Sequence, residues 1–155
     1  MRTVAPLEVG LTAADLAALL PFSRDVLGLR VLSDVIVPAA IGRTTGLAPA
    51  GYRIVRLESG SGDRLKLVQP DPAPAAAPPD AYAMQRRGGS YVTFIVDDLD
   101  VTYAALARAG VRVHSQGTIE VRPGVRLLLV TDPEGNYLEF VQYADLRSYR
   151  PPATT

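Results

Sequence analysis

The chain carries one pattern twice, and this repeat constrains its fold more than any other feature. The segment LKLVQ, which contains Lys66, matches LEFVQ, which contains Glu139. Near the start of each half, LEVGL matches YVTF, which places Glu8 at the position of Tyr91. Such self-similarity indicates a duplicated structural unit. We therefore expect two modules of one topology within 155 residues.

The first half predicts the order strand, helix, strand, strand, strand. Its helix is expected to begin in the capping-box pattern of Thr12 and Asp15, to be kinked or interrupted at Pro21, and to end at Gly28. The Gly, Pro and Thr content of 38–51 predicts a loop. The predicted strands, from alternation and β-branched content, are 5–11, 30–37, 52–58 and 64–69.

The second half predicts the same order again. Asp97 and Asp98 are expected to open its helix, and Gly110 to end it. Its last strand follows DPEGN, where Asp132 and the residues after it have the types that a tight turn requires. The predicted strands are 90–96, 111–121, 125–131 and 137–143.

A Pro-rich segment separates the two halves. The run QPDPAPAAAPPD, followed by two arginines and two glycines, has too much proline for regular structure and too little to pack. The predicted organisation is a first module at 1–70, a Pro/Ala/Gly-rich linker at 71–89, a second module at 90–145 and a C-terminal tail at 146–155.

Charge and composition narrow the classes of partner. Sixteen basic and sixteen acidic residues cancel, which leaves no electrostatic footprint for nucleic acid or an anionic membrane. No apolar run approaches the roughly 18 residues of a membrane span, and no signal-peptide pattern is present, so we expect a cytoplasmic protein. The chain has no cysteine and one histidine, His114, which excludes thiolate chemistry and multi-histidine metal sites within one chain. A small-molecule ligand is the expected partner.

Four polar side chains occupy matching places in the two halves. In each module the first and last predicted strands carry a polar residue on the face opposite the helix. These residues are expected to converge if the two sheets curve around one cavity. They are Glu8, Lys66, Tyr91 and Glu139.

Three segments carry a resemblance to a known family. DLAALLPFSRDVLGL, YVTFIVDDLD and DPEGNYLEFVQ, in this order, resemble the vicinal oxygen chelate superfamily, which includes glyoxalase I, extradiol dioxygenases and bleomycin resistance proteins. The resemblance covers almost the whole chain. It implies an α+β, glyoxalase-like fold of two tandem βαβββ modules, whose curved mixed sheets enclose one cavity. It also implies a homodimer.

The resemblance bears on metal binding as well. Metal-dependent members place His, Glu or Gln at the four strand positions, and of these only Glu139 matches cleanly. An ammonium such as that of Lys66, with an ordinary pKa near 10.4, cannot ligate a metal and puts a positive charge where the cation would sit. We therefore predict no metal and no cofactor. The alternative is a hard divalent ion held by Glu8 and Glu139 with waters.

Lys66 is then expected to replace the metal electrostatically. One of the two glutamates would act as general base, with Tyr91 or Lys66 as the acid or oxyanion donor. Proton abstraction beside a carbonyl, by an isomerase, lyase or cyclase acting on a small apolar carbonyl-bearing or aromatic metabolite, suits this set. One alternative is a non-catalytic sequestration protein of the bleomycin-resistance type, in which the charges form a structural ion pair. Another is a metal-dependent lyase or dioxygenase.

Aromatic residues on the strands are candidates for the walls of the ligand site, although half-buried strand tyrosines are commonly packing residues. Arg53 and Arg56 lie three residues apart on one predicted strand, so one of them is expected to face inward and bind a carboxylate or phosphate; a solvated arginine is the commoner case. The substrate-binding candidates are Tyr52, Tyr137, Tyr143 and His114.

Overall fold

The chain divides into two compact units, each with its own sheet. Unit 1 spans Met1–Pro78 and unit 2 spans Pro79–Thr155, a division that falls inside the predicted linker. The computed structural model describes residues 5–76, 82–85 and 87–149. In this part of the chain no helix is both long enough and apolar enough to cross a membrane.

Unit 1 is a four-stranded sheet with short helices. The strand order is β1-β4-β3-β2, with β1 parallel to β4 and the other neighbours antiparallel. The first helix packs on β4 and the second on β3 and β2. The elements are β1 (Glu8–Thr12), α1 (Leu16–Pro21), a π-helical turn (Phe22–Val26), β2 (Arg30–Pro38), α2 (Ala39–Thr45), β3 (Gly51–Glu58) and β4 (Arg64–Pro70).

The alternation of β3 and β4 separates the two faces of this sheet. Leu57 pairs with Leu65, and Val55 pairs with Leu67, so these four apolar side chains share one face. Each is no more than 7% exposed, and α1 supplies further buried leucines to the same core. The residues between them, including Arg56 and Lys66, therefore project from the opposite face.

Two expectations for unit 1 were wrong. The predicted loop at 38–51 contains α2, which Gly46 ends in the left-handed conformation (φ 72°). The composition of this segment is typical of a loop and does not indicate a helix. One of its glycines, Gly42, is required by packing, because a Cβ there would lie 2.4 Å from the carbonyl oxygen of Ala48. The first helix is capped by Asp15 alone, whose carboxylate accepts a 2.7 Å hydrogen bond from the Ala17 amide; Thr12 is the last residue of β1.

The interruption at Pro21 takes a specific form. Proline has no N–H to donate to the preceding turn, and α1 ends at this residue. The chain continues as a π-helical turn, in which the Leu27 amide donates to the carbonyl oxygen of Phe22 at 3.1 Å. The Ser23 hydroxyl is buried and donates to the carbonyl oxygen of Leu19 at 2.9 Å. The helix therefore widens at Pro21 and ends at Val26.

Unit 2 repeats the arrangement. Its sheet has the order β5-β9-β8-β6, with β7 also pairing with β8, and β5 runs parallel to β9. The helix α3 packs on β8 and β9. The elements are β5 (Tyr91–Ile95), α3 (Leu99–Arg108), β6 (Arg112–Val113), β7 (Ile119–Arg122), β8 (Val125–Thr131), β9 (Tyr137–Tyr143) and a 3-10 turn (Leu146–Ser148).

The single strand expected at 111–121 is broken into β6 and β7. After β6 the amides of His114 and Ser115 both donate to the carbonyl oxygen of Leu129. The Ser115 hydroxyl donates to the carbonyl oxygen of Gly117, which has φ 83°. This side-chain bond and the left-handed glycine form a local loop that competes with strand pairing, so the strand resumes only at Ile119.

Matching hydrogen bonds in both units support the duplication. The Gln69 side-chain amide donates to the carbonyl oxygen of Ala14 at 2.7 Å, one residue before the cap of α1. The equivalent Gln142 amide donates to the carbonyl oxygen of Asp97 at 2.9 Å, one residue before the cap of α3. Gln142 also accepts a 3.2 Å bond from the Leu99 amide. We call these contacts the glutamine latches, because each ties the last strand of a unit to the start of its helix.

Candidate functional site

The face of the unit 1 sheet opposite the helices carries a charged cluster. Glu8 on β1 pairs in register with Arg64 on β4, and Arg64 pairs with Glu58 on β3. The next row along contains Gly10, Lys66 and Arg56 on the same three strands. Register partners project from one face of a sheet, so these side chains form two adjacent rows.

Glu8 is held between two cations. Its carboxylate oxygens lie 3.4 Å from the Lys66 ammonium and 3.5 Å from the Arg64 guanidinium. The Glu8 and Lys66 side chains are 28% and 30% exposed, so neither is fully solvated. The structure therefore brings together two of the four predicted site residues, as an ion pair.

Glu58 anchors the outer row. Its carboxylate lies 2.6 Å from the Arg30 guanidinium and 3.1 Å from that of Arg64. The hydrogen bond from Arg64, followed by the charge of Arg30, holds the pKa of Glu58 below its ordinary value despite the opposing effect of burial. Glu58 is thus a fixed anion on this face.

In unit 2 the equivalent face places Glu139 among apolar neighbours. Glu139 on β9 lies in register with Thr93 on β5 and Leu129 on β8. The Thr93 hydroxyl donates to a Glu139 carboxylate oxygen at 2.7 Å. The next register pair on the same face is apolar, Ile95 with Val141. Thr93 therefore fixes the orientation of a half-buried carboxylate that has an apolar strand on its other side.

Aromatic side chains lie at one end of this face. Tyr91 pairs in register with Tyr137, two residues before Glu139 on β9. The His114 ring meets the Tyr137 ring edge-to-face, with centroids 5.0 Å apart. Tyr91 is 46% exposed, so its phenol is accessible on the face that carries Glu139.

The remaining wall candidates lie elsewhere. Tyr143 is at the far end of β9 and packs against Tyr149, with ring centroids 5.2 Å apart. Tyr52 is half-buried at the start of β3 in unit 1, on the face that carries Arg56. The ring contact of Tyr143 and the half-buried position of Tyr52 both fit packing residues. A role in binding a ligand stays a prediction for each. So does the convergence of Glu8, Lys66, Tyr91 and Glu139, since the first two belong to unit 1 and the others to unit 2.

The donors in unit 1 do not suit a divalent cation. The position that would supply the second ligand in this unit carries the Lys66 ammonium, and the Glu8 carboxylate is already bound by two cations. Within residues 5–76, 82–85 and 87–149, no group of three or more His, Cys, Asp or Glu side chains is placed to hold a metal ion. A metal at Glu8 would have to displace both ion pairs.

A shallow cleft of about 300 Å³ follows α2 in unit 1. It is lined by small and apolar residues and by Arg43, whose guanidinium donates to the carbonyl oxygen of Pro49 at 3.1 Å. None of the predicted site residues lines it. We therefore do not assign the ligand site to this cleft.

Two contributors to these faces escaped the sequence analysis. In the sequence, Thr93 is one residue of the predicted strand 90–96, and Arg64 is the first residue of the predicted strand 64–69. The role of each depends on which residue lies across the strand pair, and one sequence does not give that register. The alignment of the repeats contained part of the signal, because Thr93 falls where unit 1 has Gly10.

Comparison with known proteins gives the family and the fold. The family model described as Glyoxalase/Bleomycin resistance protein/Dioxygenase superfamily matches residues 5–140. Among solved structures, a glyoxalase family protein from Bacillus cereus is 20% identical with a TM-score of 0.79, covering 94% of this chain and 97% of that one. No curated protein matches the sequence.

Two further structures show how widely the fold is used. The trypanothione-dependent glyoxalase I of Leishmania major is 21% identical with a TM-score of 0.63, covering 90% of this chain and 87% of that one. An antibiotic-binding protein from Streptomyces sp. CB03234 is 19% identical with a TM-score of 0.59, covering 92% of this chain and 98% of that one. At these identities the likeness establishes the α+β fold with curved mixed sheets, and fold alone does not fix function.

Proposed function

Because the chain belongs to the Glyoxalase/Bleomycin resistance protein/Dioxygenase superfamily over residues 5–140, we propose that it is a metal-independent acid–base enzyme. Its substrate is a small, largely apolar metabolite that carries a carbonyl group, including aromatic compounds. The observation that carries this proposal is the Glu139 carboxylate, oriented by the Thr93 hydroxyl at 2.7 Å on an otherwise apolar part of the unit 2 face.

Glu139 is the general base of the proposed reaction. A carboxylate held in one orientation and partly removed from water can accept a proton from the carbon beside a carbonyl, which leaves an enolate. Return of a proton to the opposite face of the same carbon completes an epimerisation, an isomerisation that needs no other reactant. Glu8 is the weaker candidate, because Lys66 and Arg64 already engage its carboxylate.

Tyr91 is the proposed hydrogen-bond donor to the developing oxyanion. Its side chain shares a face with Glu139, and its phenol is accessible there. A phenolic O–H that points at developing negative charge stabilises the enolate more than the ground-state carbonyl.

Metal independence is part of the proposal. The ammonium of Lys66 supplies positive charge in unit 1 at a position where metal-dependent relatives carry a ligand. We infer that this charge takes over the electrostatic work of a metal, whereas a metal-dependent lyase or dioxygenase would need a set of ligands that Glu8 and Lys66 do not provide. Chelator treatment is therefore expected to leave activity unchanged.

A non-catalytic binding protein is the second candidate, and the closed Glu8–Lys66 pair favours it. An ion pair that is already satisfied in the free protein fits a structural role, with the ligand held by the apolar and aromatic side chains. Binding of an antibiotic by the Streptomyces protein of the same fold is compatible with this reading. The cytoplasmic location and the homodimer also stay predictions.

The deciding experiment is exchange of carbon-bound hydrogen in heavy water. A panel of small alkyl ketones and aryl alkyl ketones is incubated with the protein, and loss of the proton on the carbon beside the carbonyl is followed by NMR. We expect at least one compound to exchange, Glu139→Gln to slow exchange by a factor of about 100 to 10,000, and ligand binding to change little because the shape is kept.

The matched control is Asp25→Asn, which removes an exposed carboxylate paired with Arg24 and is expected to leave exchange unchanged. Thr93→Val is expected to slow exchange less than Glu139→Gln does, because it loosens the base without removing it. Binding without exchange of any proton would support the sequestration protein instead. Loss of exchange on chelation, restored by a divalent ion, would refute metal independence.

A further inference from the structure

Arg56 is a half-buried cation with no counter-ion among residues 5–76, 82–85 and 87–149. It lies on β3 directly opposite Lys66, on the face of unit 1 that points away from the helices. Among the residues that the structure describes, Arg56 makes neither an ion pair nor a side-chain hydrogen bond. Like charges directly across a strand pair repel, and Glu8 offsets only the charge of Lys66.

Arg53 is the arginine with which Arg56 can be compared, and it is paired with a carboxylate. It lies on the same strand, and its guanidinium donates two hydrogen bonds to the Asp34 carboxylate at 2.9 and 2.6 Å. Arg53 and Arg56 project from opposite faces because they are three positions apart on one strand, and side chains alternate. Arg53 is thus paired with a carboxylate on its face of the sheet, whereas Arg56 has none beside it among the described residues.

Ser33 adds a second unsatisfied group to the same row. It is the register partner of Arg56 on β2, next to an irregularity between Val31 and Ser33. Its hydroxyl oxygen is buried and, within the described part of the chain, has no hydrogen-bond partner. Buried polar groups in native proteins are almost always paired, so an orphan hydroxyl beside an orphan guanidinium indicates a missing hydrogen-bonding group.

The other end of the row is open. Gly10 pairs with Lys66, and a Cβ at Gly10 would meet no atom within 4 Å beyond its own chain neighbours. At the equivalent place in unit 2, the Thr93 side chain occupies this position and binds Glu139. In unit 1 the glycine leaves this position beside the Lys66 register place on β4 unfilled.

We propose that the row formed by Ser33, Arg56 and Lys66 binds the carboxylate of a small organic anion. A guanidinium matches a planar carboxylate with two parallel N–H donors, and the Ser33 hydroxyl can donate a further bond. Since Glu8 already offsets Lys66, about one net positive charge remains in the row, which suits a monoanion better than a phosphate dianion. The inference goes beyond the proposed function, because it concerns the unit 1 face by itself and names the class of anion that binds there.

Benzoate and benzamide are the probes, because they share size and shape but differ in charge. The ¹⁵N-labelled protein is titrated with each, and the amide signal of Ser33 and the side-chain Nε signal of Arg56 are followed by NMR. We expect benzoate to shift both signals and benzamide to shift neither. Arg56→Gln is expected to weaken benzoate binding by a factor of about 10 to 100.

Arg53→Gln is the matched control, since it removes an arginine from the same strand but from the other face, and benzoate affinity is expected to hold. Ser33→Ala is expected to weaken benzoate binding without lowering stability, because the hydroxyl has no partner in the free protein. Arg56→Gln should not destabilise the fold either, since the guanidinium faces Lys66 uncompensated. Retained stability separates loss of the subsite from loss of folding.

Three results would overturn the proposal. They are equal binding of benzoate and benzamide, equal weakening by Arg53→Gln, and benzoate shifts confined to other parts of the chain. The titration needs no turnover, so it is independent of the heavy-water experiment. Loss of the Glu139 role would leave the carboxylate subsite standing, and loss of the subsite would leave the base standing.

Discussion

The charges around Glu58 and Glu8 show how single side chains set the electrostatics of one face. Arg64 contacts both carboxylates, at 3.1 Å from Glu58 and 3.5 Å from Glu8. A residue that bridges two anions has more effect than its own exposure suggests, because removing it leaves both acids with fewer partners.

Glu58 offers a pH test of this arrangement. Its pKa is lowered in the folded protein, chiefly by the Arg64 hydrogen bond and then by the Arg30 charge. A carboxyl with a lowered folded-state pKa stabilises the fold above its ordinary pKa, and this stabilisation is lost as the pH falls through the folded value. We expect Arg64→Gln to raise the Glu58 titration midpoint in carboxyl-detected NMR, and Arg30→Gln to raise it less.

The same variants predict the acid sensitivity of the fold. Between neutral pH and the acid limb, wild type should lose more unfolding free energy than Arg64→Gln, because the variant has less of this stabilisation to lose. Asp25→Asn, at an exposed pair outside the sheet, leaves the Glu58 midpoint unchanged. A Glu58 midpoint that does not move in Arg64→Gln would contradict the assigned cause.

At the residue scale, the sequence predicted which face of a strand a side chain occupies better than it predicted which residue that side chain contacts. Alternation along the last strand placed Glu139 on the face opposite Leu138 and Phe140, which are 1% and 4% exposed. Thr93 and Ser33 could not be found in this way, because their roles depend on the residue across the strand and, at Ser33, on a register irregularity.

At the scale of secondary structure, the glutamine latches explain why each helix begins where it does. The last strand of a unit supplies the glutamine, and the residue before the helix cap supplies the carbonyl. Gln142 makes two such bonds, to Asp97 and to Leu99, whereas Gln69 makes the one to Ala14. Side chain and backbone thus connect elements that are distant in sequence.

Removing a glutamine latch is expected to lower the unfolding free energy, and the loss should grow with the number of hydrogen bonds removed. Gln142→Ala leaves the amide of Leu99, a residue that is fully buried, without its partner, and should lower the unfolding free energy by about 1–3 kcal/mol. Gln69→Ala, which loses one bond, should cost less. Urea unfolding measures both, with Gln116→Ala at an exposed loop position as control. Equal values for Gln142→Ala and the control would show that the latch is not stabilising.

The elements that prediction missed have a common physical cause. The helix α2 and the break between β6 and β7 both contain glycines whose roles are tertiary or conformational. Gly42 makes room for a neighbouring carbonyl, and Gly117 adopts a positive φ. In a sequence, each is indistinguishable from an ordinary loop glycine.

At the scale of the molecule, the repeat was the feature that made the fold predictable. Two copies of a weak pattern fix one topology better than either copy does, because each must be compatible with the same order of strands and helix. The two polar faces differ, however. The unit 1 face carries a cluster of ion pairs, whereas on the unit 2 face Glu139 lies next to Thr93 and apolar residues, with Arg112 in the row of Tyr137.

The edge of the unit 1 sheet bears on assembly. Strand β2 is nine residues long, lies at the end of the strand order, and exposes Val35 at 44% and Ile36 at 72%. Long apolar edges invite pairing with another chain. We expect light scattering to give twice the 16.5 kDa chain mass, and Ile36→Lys to shift the protein towards the monomer.

Val101→Lys is the control for that shift. It introduces the same charge at a 64% exposed position on α3 in unit 2, and the dimer is expected to persist. A monomeric wild-type protein would refute the predicted homodimer, and a dimer that tolerates Ile36→Lys would place its interface away from β2.

The glutamine latches also bear on how such a protein diversifies. The helix-facing leucines and the latch of each unit hold the framework, whereas Lys66 and Glu139 occupy equivalent places that point the other way. The helix-facing side of the sheet is therefore alike in the two units, and the residues on the opposite side differ between them. Because residues 66 and 139 point away from the helix-facing core, exchanging them is expected to change the chemistry of each unit and to leave its fold unchanged.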